Sequence, residues 1–279
     1  MGLLTLQPEI STKGRIKIAS EPGTPDLVGA HSYLGPALAS STAQASSFSR
    51  RPLCRHVKAE QEFKHALDLN PNSAIAHARY GEYLVMRRRF EEGIPEDRRA
   101  QELDPLSAEM TATQVYGYIV GHRYDEAIAL GQKVVELEPN VPLYRSNIAF
   151  SYFLKGQPEL AASEFEKAKD LVGPATTGNQ NAASFLGWFY AVSGRRQDAL
   201  KMIKEYEDLS SHSYVDFYFV AQIYAGLDDR DQAIRYLERA YQQRSNQIAW
   251  LAADPFWYPM YSDPRYKDLI RRIGLPEPA

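Results

Sequence analysis

Cysteine is almost missing from this chain: Cys54 is the only one. A single thiol cannot close an internal disulfide, and a zinc site built from several thiolates is excluded. That usage fits a reducing compartment, and the expected location is the cytoplasm. Long hydrophobic runs are also missing. The longest fall far short of the ~20 residues of a membrane-spanning helix, so no membrane association is expected. No basic stretch followed by an apolar core opens the sequence, which argues against a secretory leader. Met1-Gly2-Leu3-Leu4-Thr5-Leu6 places Leu6 where a myristoylation signal has Ser or Thr. Charge of one sign is not in excess either. A formal net charge of −3 supplies no global field for nucleic acid or an anionic membrane.

The sequence also lacks the patterns that carry covalent chemistry. It has no Walker loop, no kinase glycine loop, no kinase catalytic sequence or Asp-Phe-Gly, and no Gly-x-Ser-x-Gly elbow. The histidines are His31, His56, His65, His77, His122 and His212, and none lies in a His-Glu-x-x-His helix. Cys54 and His56 alone are too few to ligate a metal. The expectation is a protein without catalytic residues, metal or cofactor. An apolar fraction of 44% with 11 Phe and 18 Tyr excludes wholesale disorder.

What the sequence has is a period. Leu69, Leu103, Leu137 and Leu171 lie 34 residues apart, and each closes a similar short pattern ending in proline, as in Ala66-Leu67-Asp68-Leu69-Asn70-Pro71. Small residues keep the same step at Ala59, Gly93, Ala127 and Ala161, and again at Ala199 and Ala233. The step from Ala161 to Ala199 is longer, and the polar stretch Pro174-Ala175-Thr176-Thr177-Gly178-Asn179 absorbs the surplus. Gly81, Ala149, Gly187 and Ala221 sit twelve residues ahead of their partners, with Val115 as the bulky exception. Small side chains at such paired positions let two helices cross closely. Leu84, Tyr118, Tyr152, Tyr190 and Tyr224 repeat as core positions. A period of this length predicts stacked helical hairpins, with Pro105 and Pro139 just past the ends of second helices.

These residues resemble the tetratricopeptide repeat family. Five units fit, beginning near Ala74, Ala108, Pro142, Gln180 and Tyr214, with a half-preserved sixth before them. The resemblance implies an all-α fold, a right-handed superhelix (solenoid) of five to six hairpins with a C-terminal helical cap. The expected organisation is a flexible arm over 1–26, a degenerate first-repeat helix (Leu27 to Leu38) and Ser/Arg-rich loop over 27–58, the array over 59–243 and a capping segment over 244–279. Departures from the family pattern are the polar Gln114 and Asp97, Gly131, and Pro95 inside an expected helix. Pro95 predicts a kink or a late helix start. The tail from Leu251 through Pro276 looks like the closing segment of repeat regions in bacterial kinases and winged-helix transcription regulators. Asp263-Pro264 there predicts a helix start and Gly274 its end. Trp250, Phe256, Trp257, Tyr258 and Tyr261 are expected to cover the apolar face of the last repeat.

The resemblance implies a concave face made by the first helices of the hairpins. It places Glu82, Tyr116, Phe150, Trp188 and Gln222 in one row, with Tyr218 and Phe153 in the rows beside it. These seven are the candidate partner-binding residues. The aromatics suit an extended or helical peptide, although the same rings could instead pack between hairpins. The arginines Arg87, Arg88, Arg89, Arg98 and Arg99 interleave with Glu91, Glu92, Glu96 and Asp97, which predicts surface ion pairs rather than a nucleic-acid groove. The chaperone-tail clamp of some relatives is not reproduced, although Asn147 matches one of its positions. The expected function is non-catalytic binding of a protein or peptide. The alternative is the regulatory portion of a bacterial kinase or transcription regulator whose effector domain lies elsewhere.

Overall fold

The computed structural model describes residues 54–173 and 178–277. The expected arm, the expected helix Leu27 to Leu38, and most of the Ser/Arg-rich loop lie outside the described residues. Twelve α-helices follow in chain order: α1 (Cys54–Leu69), α2 (Ala74–Met86), α3 (Phe90–Leu103), α4 (Ala108–Val120), α5 (Tyr124–Leu137), α6 (Pro142–Leu154), α7 (Pro158–Val172), α8 (Gln180–Val192), α9 (Arg196–Leu209), α10 (Phe217–Gly226), α11 (Arg230–Gln242) and α12 (Pro264–Ile273). Two short 3₁₀ helices, Asn246–Trp250 and Pro255–Met260, separate α11 from α12. No strand occurs among the described residues. The molecule is an all-helical solenoid of antiparallel hairpins. Each first helix (α2, α4, α6, α8, α10) packs on its own second helix, each of the first four also on the next first helix, and α10 on the 3₁₀ helix Pro255–Met260.

The paired small residues lie where expected. Ala59, Ala127, Ala149, Ala161, Ala199, Ala221 and Ala233 are each at most 1% exposed. At the α2–α3 crossing a Cβ on Gly81 would stand 2.9 Å from the Gly93 carbonyl oxygen, and one on Gly93 equally close to that of Gly81. Gly131 leaves room for Ile148 of the next hairpin. Ser73, Ser107, Asp216 and Asp229 cap their helices by accepting a backbone N–H, each contributing ~1 kcal/mol.

Three local expectations are corrected. The fifth unit does not start at Tyr214. Buried Gln180 accepts from the Asp216 amide at 2.9 Å and donates to the Tyr214 carbonyl at 2.9 Å, so that stretch stays extended and α10 begins at Phe217. α3 neither starts late nor breaks at Pro95. Pro95 is the sixth residue of the helix, so the donor it lacks removes the interior bond to the Glu91 carbonyl without ending the helix. Helix α1 already begins at Cys54, inside the stretch assigned to the loop.

The largest departure is the route of the tail. Trp257 does cover the last repeat: its Nε1 donates to the Tyr218 hydroxyl at 2.8 Å and its ring lies 5.2 Å from that of Tyr218. The segment then extends well beyond that end. Arg87 and Arg88, at the end of α2, donate to the carbonyls of Gly274 (2.7 Å) and Ala252 (3.1 Å). Trp250 meets Tyr116 of α4, Tyr258 meets His122 just past α4, and Phe256 meets Phe150 of α6 and Trp188 of α8. The C-terminal segment therefore crosses the inner face as a strap from the fifth hairpin back to the first. Such contacts are possible only if the array curves around that face.

Candidate functional site

The inner face is divided between the strap and an open cavity. Where the strap lies, Phe256 is completely buried and stacks on Phe150 with centroids 4.2 Å apart and planes 8° from parallel. Phe185 and Trp188 meet the same ring edge-on at 4.8 and 4.9 Å. Phe153 packs edge-on against Trp188 at 4.9 Å. Of the seven candidate residues, Phe150 and Trp188 are thus covered by the chain itself, and Phe153 is half-buried beside them.

The other four, Glu82, Tyr116, Tyr218 and Gln222, line a cavity of about 280 Å³ toward the N-terminal ends of the first helices. Side chains from α2, α4, α6, α8 and α10 form its floor and walls, and Gln247, Trp250 and Asp254 of the strap form its roof. The sequence reading missed Glu109, Asn147 and Asp254 as cavity residues. Glu109 stands two residues after the Ser107 cap, so it projects from the first turn of α4.

Charge in this cavity is one-sided. Glu82, Glu109 and Asp254 line it, and no Lys, Arg or His does so among the described residues. Arg79, which does not line the cavity, bridges Glu82 (3.0 Å) and Glu109 (3.1 Å) through its two terminal nitrogens. Asp254 has no such partner. It is 2% exposed and accepts only from neutral groups: the Tyr218 hydroxyl at 2.8 Å, the Phe256 amide at 3.2 Å, Gln222 Nε2 at 3.4 Å and the Tyr116 hydroxyl. Burial pushes its carboxyl up to about 7, against the lowering effect of those donors. Asn147 is 4% exposed, and its Oδ1 accepts no hydrogen bond. A buried acceptor left unpaired costs ~1–3 kcal/mol, and this one borders an open space.

A second buried acid, Asp97, lies outside the cavity between α2, α3 and α4. Its Oδ2 would stand 2.7 Å from a Cβ on Gly117, and its Cγ 2.8 Å from one on Gly81, so only glycines admit it. Neither oxygen has a hydrogen-bond partner, and burial, assisted by Glu82 and Glu96, raises the carboxyl well above its ordinary range. Of the ion pairs expected within the arginine cluster, Arg89–Glu92 forms, and Arg87, Arg88 and Arg99 turn to groups outside it. Arg89 pairs with Glu60 and Glu92 and Arg99 with Glu102, while Arg87 and Arg88 hold the strap. No group of three potential metal ligands occurs among the described residues, and no described helix is long and apolar enough to cross a membrane.

Comparison with known proteins supports the repeat architecture. The chain has no match among curated proteins. The Cut9–Hcn1 hetero-tetramer of APC/C shares the fold with a TM-score of 0.51 and 13% identity, over 85% of this chain and 48% of the other. The chain thus spans about half of that protein's length. PilF of Pseudomonas aeruginosa matches with 17% identity and a TM-score of 0.49, over 77% of this chain and 95% of the other. MamA matches with 18% identity and a TM-score of 0.45, over 57% and 92%. The resemblance of the tail to kinase- and regulator-linked repeat regions gains no support from these matches. The tetratricopeptide repeat family profile matches residues 217–247, the fifth hairpin and the first turn of the strap, so the solenoid contains a tetratricopeptide repeat at its C-terminal end.

Proposed function

We propose that this protein is a non-catalytic scaffold that binds a peptide or protein segment on its inner face, in the cavity between the first helices and the strap. The observation that carries the reading is the cavity itself. All five first helices contribute to it, and it retains an unpaired buried acceptor at Asn147 in a fold otherwise dense with side-chain contacts. Repeat arrays present such surfaces because each hairpin repeats the same outward-facing positions along one face. Glu82, Tyr116, Tyr218 and Gln222 are the contact residues of choice. Phe150 and Trp188 act through the strap that rests on them, and Phe153 supports Trp188.

Panning a displayed library of random peptides on the full chain tests this. Selected peptides should lose at least tenfold in affinity on Thr113→Trp, which fills the cavity from its wall. They should keep it on Glu136→Trp, placed on the exposed side of α5. Equal affinities for the two variants, or no selectable peptide, would overturn the proposal.

A further inference from the structure

We infer that the cavity takes an arginine side chain, presented by the bound peptide. The inference rests on the peptide-binding reading and adds the chemistry of its central residue.

The one fully buried side-chain atom of the cavity lining that lacks a partner is an acceptor, Asn147 Oδ1. Glu82 and Glu109 share the one guanidinium of Arg79, which is not among the residues that line the cavity. Asp254 faces only neutral donors. Against three carboxylates stands one cation, so two negative charges are left over once Asp254 is ionised. Asn147 Oδ1 is buried and unpaired, and it needs an N–H. The neighbouring amide of Gln222 is already committed, accepting from the Ser184 hydroxyl at 2.9 Å and donating to Asp254. A ligand that satisfies this set must be rich in donors and positive.

The shape selects further. Tyr116 and Trp250 meet edge-on at 5.1 Å, and Tyr144 and Phe185 also line the cavity. Such aromatic walls suit a planar, weakly hydrated cation that can stack on a ring while its edge donates. Guanidinium has five N–H donors in a fixed fork, enough to reach Asn147 and more than one carboxylate at once. An ammonium has three donors and no flat face. A carboxylate-bearing segment would meet like charge on three sides. The ion pairs of Arg79 show, inside this molecule, that Glu82 and Glu109 are spaced for one guanidinium to bridge.

The test uses the full-length chain and fluorescein-labelled pentapeptide pools. The central residue is fixed as Arg, Lys, citrulline, Leu or Glu, with mixed Gly, Ser and Ala on both sides. Fluorescence anisotropy should show the Arg pool binding at least tenfold tighter than the citrulline pool, which keeps the shape and loses the charge. Lys should fall between them, and Glu should bind weakest. The Arg preference should shrink severalfold in Glu109→Gln, whose side chain is exposed enough that folding is not at risk, and in Asp254→Asn, which keeps the cap geometry. Equal binding of the Arg and citrulline pools would overturn the inference. If peptides from the random library bind the cavity without cation preference, the scaffold reading stands and the arginine specificity falls. An undiminished Arg preference in both variants would also overturn it, because the charge would then be read elsewhere.

Discussion

Removing the Phe256 ring should release the strap while leaving the array folded. Phe256 is fully buried and touches three aromatic rings at 4.2–4.9 Å. Truncating a buried Phe to Ala costs ~3–5 kcal/mol, and the lost stacking is part of that figure. Taking ~4 kcal/mol, the opening equilibrium of the strap should rise about a thousandfold, since each 1.4 kcal/mol is a factor of ten. The loss falls locally, because hairpins in an array lean on their neighbours and need not unfold with the strap. The chain carries its own reporters: all three tryptophans, Trp188, Trp250 and Trp257, lie on or under the strap. In Phe256→Ala the emission should shift red at low urea while helical circular dichroism holds. Native-state hydrogen exchange should show the amides of Asp254 and Trp257, bonded to Trp250 and Asp254, losing protection by about the same factor. Unshifted emission together with a stability loss under ~1 kcal/mol would refute the packing of this ring.

Two further outcomes follow from single groups. Asp254 has a folded-state pKa of about 7 against an ordinary 3.8, so the folded state holds the extra proton and stability should fall as pH rises from about 4 to 7. The contribution is on the order of 3–4 kcal/mol; urea melts should show the advantage of Asp254→Asn over wild type growing across that window, and parallel curves would contradict it. Arg244 is exposed with φ of 60°, a conformation costing an L-residue roughly 1–2 kcal/mol, so Arg244→Gly should gain ~0.5–1 kcal/mol after the entropy of the freer unfolded chain is deducted. Thermal melting checks the sign, and a lower midpoint would refute it.

The helices were legible because helix pairing is local and periodic. A residue such as Ala161 or Gly93 must be small wherever two helices touch, and that requirement recurs with the hairpin. The start of α10 was not legible. Tyr214 fits the period, but the hydrogen bonds from Gln180 belong to the preceding unit and hold the chain extended for three more residues. The strap was half legible. Its aromatic density and the Asp263-Pro264 helix start are written in the sequence. Its path across α2 to α8 depends on contacts between residues 164 and 187 positions apart, which no repeat spacing encodes. Glu109, Asn147 and Asp254 escaped for a related reason. Glu109 and Asn147 occupy ordinary helix positions, and only the strap, by supplying Asp254 and a roof, makes them parts of one cavity.

The hairpin turns hold a signal that links the array to the strap. Residues 88, 122, 156, 194 and 228 occupy the same turn position, and all five have positive φ. Gly156 and Gly194 meet that geometry without cost. Arg88, His122 and Asp228 meet it against the general preference of L side chains. Arg88 and His122 both reach the strap: Arg88 donates to the Ala252 carbonyl, and the ring of His122, which also bonds the Tyr124 hydroxyl through Nδ1, lies 26° from parallel to that of Tyr258. A glycine at either position would relax the turn and lose a strap contact. In the first two hairpins the residue with positive φ thus also reaches the strap, whereas Asp228 of the fifth adopts the same conformation and pairs with Arg230. The third and fourth hairpins have glycine there and meet the strap through Phe150, Phe185 and Trp188. On this argument the strap belongs to the folded architecture of the array, and a partner meets the inner face with the strap as one wall of the cavity.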